Sequence, residues 1–177
     1  MSALNDLENS LEKVFVKNAP KLPEKAKETI VEWLPWINLV LGILTLWSAY
    51  VLWHWAHLAN GLANYVNQLS QTYGINTPAA HRLGAVVWLG LIVLAVEGIL
   101  YIMAFQATRA RAKNGWNLLF YALLVNLVYG FVNIFSNYGG FGSFIGYLIG
   151  TAVGLYFLFQ IRSRYLGTKS APSEHQA

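Results

Sequence analysis

Leu83–Phe105 reads LGAVVWLGLIVLAVEGILYIMAF, and the run holds one charged side chain, Glu97. A helix needs about 20 predominantly apolar residues to cross the hydrocarbon of a bilayer, so this stretch is long enough. Trp36–Leu58, Asn117–Phe135 and Ser143–Ile161 have the same character. Each is expected to be helical, because open strands would leave backbone N–H and C=O groups unpaired in hydrocarbon. The expected fold class is therefore all-α: a polytopic membrane protein with four transmembrane helices and an N-terminal amphipathic helix.

Composition points the same way. Hydrophobic residues make up 56% of the 177 and charged residues 11%, against about 45–50% and about 25% in soluble domains. Trp33, Trp36 and Trp116 fall near the expected interfaces, where aromatic belts sit. The chain has no cysteine, which excludes disulfides, thiolate metal sites and a cysteine nucleophile. No G-x-S-x-G, H-E-x-x-H or dinucleotide-type glycine motif occurs. No enzyme is expected, and no cofactor.

Ahead of the first span, Leu4, Leu7, Leu11, Val14 and Phe15 recur on one helical face, with Asp6, Glu8, Glu12 and Lys13 on the rest. That is an amphipathic helix, read as lying on the membrane surface or the bundle, with partner binding as the alternative. Asn18–Pro23 breaks it, and a second helix is expected from Pro23, a suitable first-turn residue, through Glu24–Trp33 into the first span. Pro35 is expected to kink that junction. The first span lacks the short apolar core and small-residue cleavage site of a signal peptide, so it reads as a retained anchor. The chain divides into 1–35, a transmembrane domain at 36–165 and a polar tail at 166–177, expected to be disordered.

Basic residues orient the spans. Lys13, Lys17, Lys21, Lys25 and Lys27 precede the first, Arg109, Arg111 and Lys113 lie in the second connection, and Arg162, Arg164 and Lys169 follow the fourth. Of the 12 Lys and Arg, only Arg82 falls on the other side. The positive-inside rule then places both termini in the cytoplasm of a multi-pass protein of the cytoplasmic membrane. The net charge of +4 is accounted for by these flanks, so no nucleic-acid partner is implied. The connection 59–82 is the longest, carries Asn76-Thr77-Pro78, and leaves room for the first helix to project a few turns beyond the bilayer. Gln106–Trp116 and Ser136–Gly142 are short, so the last three spans are expected to be antiparallel neighbours.

Glu97 is the candidate for chemistry, since a carboxyl at that depth is costly and marks function by default. By helical rise it lies about 12 Å from the cytoplasmic end of its span, Thr45 and Asn126 about 13–14 Å from theirs, and Thr151 about 15 Å. One polar residue per helix thus falls in a single layer. It reads either as a proton-exchanging or substrate-contacting layer or as interhelical glue. Asn126, Tyr129, Asn133 and Asn137 form a stripe on the third span. Gly142, Gly146, Gly150 and Gly154 make overlapping G-x-x-x-G steps on the fourth, read as a packing ridge within the chain, or else as a homodimer seam. The turn before them lacks the lysine and strand of a phosphate loop. His54, His57 and His81 share the outer side. They would suit zinc or copper, but the outer side lacks carboxylates, so they read as interfacial and no metal is assigned.

Leu118–Tyr165, with LLFYALLVNLVYG and NYGGFGSFIGYLIGTAVGLYFLF, and Leu34–His57, LPWINLVLGILTLWSAYVLWHWAH, resemble small four-helix bacterial integral membrane proteins of unassigned function. Tyr138-Gly139-Gly140-Phe141 lacks the proline of the chromate-transporter F-G-G-P motif, and the spans hold no Lys or Arg, so that activity is not carried over. The expected role is structural or accessory interaction within the lipid bilayer, alone as a homo-oligomer or with another membrane protein. The alternative is a small transporter or channel subunit built on Glu97 and the third-span stripe, and the next is metal binding at the outer histidines.

Overall fold

The computed structural model describes residues 2–74, 83–135 and 140–165, with side chains from Asp6 onward. The first helix, α1 (Ser2–Glu12), continues into a π-helical turn over Lys13–Lys17. There follow α2 (Glu24–Tyr73), α3 (Ala85–Arg109), α4 (Lys113–Asn133), α5 (Phe141–Gln160) and a 3₁₀ turn over Arg162–Arg164. Among the described residues there is no strand, and α2 to α5 are each long and apolar enough to cross a membrane. Expectations that rest on His81, Arg82, Asn137, the Asn76–Pro78 and Tyr138-Gly139 segments, Lys169 and the tail lie outside the described residues.

Consecutive helices pack on one another in sequence order, α2 on α3, α3 on α4 and α4 on α5. Glycine sets how closely. A Cβ on Gly42 would lie 2.7 Å from Ile102 Cγ1, and one on Gly98 would lie 2.7 Å from Leu46 Cγ, so α2 and α3 meet through these two residues. Gly115 brings α4 against the α3 backbone, where a Cβ would sit 2.6 Å from Thr108 N, and Gly130 takes the Tyr147 ring of α5. Between α2 and α5 an apolar cleft of about 170 Å³ remains, lined by Leu34, Leu41, Tyr101, Leu123 and Phe157 among others.

The longest element joins the expected second helix, first span and projection into one. Helix α2 has 50 residues, and Pro35 lies inside it, buried, without interrupting it. The proposed domain boundary at 35/36 thus falls within one continuous helix. Pro23 is the capping residue and Glu24 the first helical one; Gly74, at φ 64°, ends the helix by donating its N–H to Ser70 O. The α3–α4 connection is shorter than expected, only 110–112, with Arg111 in the left-handed region at φ 50°. Its guanidinium pairs with Glu28 of α2 and ties that turn to the α2 start.

The well-packed core sits at the end of the bundle that carries the termini. Trp116 is 1% exposed, donates its indole N–H to Leu158 O at 2.9 Å, stacks on Phe120 and meets Phe159 edge-on. Val31, Ile161 and Tyr165 complete this cluster. The π turn changes which α1 residues reach it. Because the extra residue in that turn shifts the helical phase, Leu11, Phe15 and Val16 pack on the core, while Leu7 and Val14 are exposed. Arg162 then holds α1 by pairing with both Glu8 and Glu12 beneath the Trp116 ring.

Candidate functional site

Glu97 lies on the side of α3 that faces α4 and is 5% exposed. Its carboxyl hydrogen-bonds the Asn126 side chain, while Oε1 is buried with no hydrogen-bond partner. Tyr101, one turn on along α3, and Tyr147 of α5 lie near it. Spacing alone did not bring these two tyrosines forward; the signal available was the Glu97-to-Tyr101 step of four, which puts them on one face.

Of the four residues expected in one layer, the structure brings Glu97 and Asn126 into contact. Asn126 bonds Glu97 directly, and Leu46, next to Thr45, meets Gly98. Thr151 lies between Tyr147 and Gly154, which contact Gly130 and Leu123 of α4, on either side of Asn126. Gly98 is the α3 residue that faces α2 here, so half-buried Thr45 sits at the α2–α3 seam, whereas Glu97 is turned toward α4. Thr151 is 4% exposed and its hydroxyl has no partner. Tyr129 meets the Tyr147 ring edge-on at 6.0 Å, above Gly90, and Asn133 is half-buried nearer the far end of α4.

The glycine ridge behaves differently from its leading reading. A Cβ on Gly142, Gly146 or Gly150 would meet nothing within 4 Å, so these three seat no helix of this chain; only Gly154 is covered, by Leu123. Gly146 and Gly150 line a groove of about 340 Å³ with Asn126, Ser143 and Tyr147. One face of the groove therefore shares Asn126 with the buried carboxyl.

Among the described residues no group of three His, Cys, Asp or Glu gathers as a metal site. His57 Nδ1 lies 3.0 Å from Trp53 O, and its ring packs on Trp53 and Trp88. His54 is exposed on the same helix.

A second surface was not read from the sequence at all. Asn60 accepts the Leu83 N–H at 2.9 Å, which marks where α3 begins beside α2. Beyond it α2 runs on through 61–73, about 20 Å by helical rise. Leu58, just before this extension, and Leu62, Tyr65, Leu69 and Tyr73 along it fall on one face and are 46%, 57%, 59%, 36% and 71% exposed. Ala56 and Ala63, on the opposite face, are buried. The missed signal was the alternating step of four and three from Leu58 to Leu69, obscured by intervening Asn and Gln.

Comparison of the chain with protein-family models, with curated proteins and with solved structures finds no match.

Proposed function

We propose that the protein is a structural or accessory interaction protein of the cytoplasmic membrane, and that it works by self-association through the extension of α2. The carrying observation is the exposed stripe Leu58, Leu62, Tyr65 and Leu69 on a helix that outruns its neighbour. Steps of four and three are those of a two-stranded coiled coil. The segment 58–73 has no Lys, Arg, Asp or Glu, so two copies meet without like-charge repulsion. Copies inserted in one membrane share a direction, which makes the pairing parallel and in register. Basic residues at the other end favour cytoplasmic termini, with this stripe on the outer side.

The absence of native cysteine makes the test clean. Leu62→Cys and Leu69→Cys in membranes should each give a covalent dimer under mild oxidation, and Gln71→Cys, on the opposite face, should not. Equal cross-linking at all three positions, or none at 62 and 69, overturns the reading.

A second reading, a transporter or channel subunit, is favoured by one observation: the unpartnered Oε1 of Glu97 behind an Asn126 that also lines the outer groove. Proton and ion flux in liposomes is its test. Flux lost in Glu97→Gln with folding intact supports it; flux unchanged by that substitution removes Glu97 from any pathway.

A further inference from the structure

At the termini end, the break between α1 and α2 is pinned to α5 by backbone-directed bonds. Gln160 donates to Phe15 O at 2.8 Å and Pro20 O at 3.3 Å and accepts the Leu22 N–H at 3.3 Å, while Tyr156 donates to Pro20 O at 2.8 Å. These bonds hold open a cleft of about 320 Å³, walled by Val16 and Phe159 and carrying Lys21, Lys27, Arg162 and Ser163.

The charges around it are unequal. Its two carboxylates are already committed, Glu12 to Arg162 and Glu24 to Lys27 and Arg164. Hydrogen bonds from Lys27 and Arg164 hold the Glu24 carboxyl below the usual carboxylate range, so it stays ionised within that network. Arg162 spends its terminal nitrogens on Glu8 and Glu12. Lys21 is exposed and makes no ion pair among the described residues, and Ser163 beside it has an uncommitted hydroxyl. The described Lys and Arg all gather at this end and outnumber the Asp and Glu that share it, so the net field there favours anions.

The cleft also sits where the apolar run of α5 stops, and its apolar wall continues into the α1 residues that pack on the core. A singly charged ligand with an apolar continuation fits such a place, and basic pockets at this level of a membrane protein suit anionic headgroups. We propose that this cleft binds one phosphate group, as the headgroup of an anionic phospholipid or as free phosphate, with the Lys21 ammonium and the Ser163 hydroxyl as its donors and Arg162 supplying charge behind them.

The full-length protein, delipidated in neutral detergent, is titrated with phosphatidylglycerol, phosphatidylcholine and inorganic phosphate, and bound ligand is counted by native mass spectrometry. One phosphatidylglycerol should be retained in preference to phosphatidylcholine. Lys21→Gln should weaken it about tenfold, the scale of one charge-assisted hydrogen bond. Ser163→Ala should weaken it less. Lys25→Gln removes the same charge from an exposed position outside the cleft and should bind as wild type. Displacement of the lipid by millimolar-range phosphate, or phosphate binding alone, assigns the site to the free anion; retention against phosphate assigns it to the lipid. Equal retention of phosphatidylcholine, or equal weakening by Lys21→Gln and Lys25→Gln, overturns the proposal.

Discussion

The two ends of this bundle are built on opposite principles. At the termini end, Trp116, Phe120, Phe159 and Tyr165 interlock under a lattice of ion pairs, and α1 is clamped across them. At the other end, Phe135 and Phe141 are 75% and 71% exposed, three glycines face open space, and α2 outruns its neighbour. The first end spends its large side chains on its own fold. The second leaves them facing outward. Buried and exposed aromatic side chains are thus separated along the helix axis.

The largest test of this contrast is Trp116→Ala against Phe135→Ala. The first removes a buried ring and its bond to Leu158, and should cost about 3–5 kcal/mol in detergent unfolding. The second should change the unfolding free energy by no more than about 0.5 kcal/mol, as for an exposed site. Comparable losses would mean the far end is as tightly held as the near one. Next in size, Gly115→Ala forces a Cβ against the Thr108 backbone and should cost about 1–3 kcal/mol. Gly146→Ala meets nothing and, gaining helix propensity, should be neutral or stabilising by up to about 1 kcal/mol. If Gly146→Ala destabilises the dispersed protein, the ridge is packed within the chain after all.

How much of this could be read beforehand depends on what fixes each feature. The depth expected for Thr45, Glu97, Asn126 and Thr151 follows from helical rise, which is the same for every helix, whereas contact needs more than depth. Which way each faces depends on rotation about the helix axis, set by contacts such as Gly42 with Gly98 that only the assembled bundle supplies. The glycines of α5 show the same limit: their period is plain in the sequence, but no period says whether a partner lies opposite. The projection of α2 was legible from the length of the 59–82 stretch, but its apolar stripe was obscured by the Asn and Gln around Leu62 and Leu69. The π turn at Lys13–Lys17 left no mark in the pattern and moved the inward face from Val14 to Val16.

Two smaller effects sharpen the near end. Arg162→Gln removes the clamp on Glu8 and Glu12, so α1 should be cut by protease several-fold faster, with a loss in global stability of about 1–2 kcal/mol. Unchanged cleavage would show that Leu11, Phe15 and Val16 alone hold α1. The other effect shows only in alkali. Tyr165 is buried with no partner for its hydroxyl, and burial pushes it up to about 12, with Arg111 opposing and Glu28 assisting. Its folded value lies above the about 10 of a free tyrosine, so its contribution is whole below that pH and is lost as pH rises through the folded value. Tyr165→Phe should therefore lose less stability across that window than wild type in a phenolate-monitored titration.

The length of α2 has a mechanical consequence. A single helix of 50 residues is a rod of about 75 Å. Where Gly42 and Gly98 touch, its backbone lies nearest to α3, and that crossing serves as a fulcrum. A tilt of about 10° there would carry Tyr73 sideways by about 8 Å and Glu24 by about 5 Å in the opposite sense, by the same rise per residue. Glu24 and Glu28 grip Arg164 and Arg111, so any sideways load on the far tip arrives at the near end as strain on those two ion pairs.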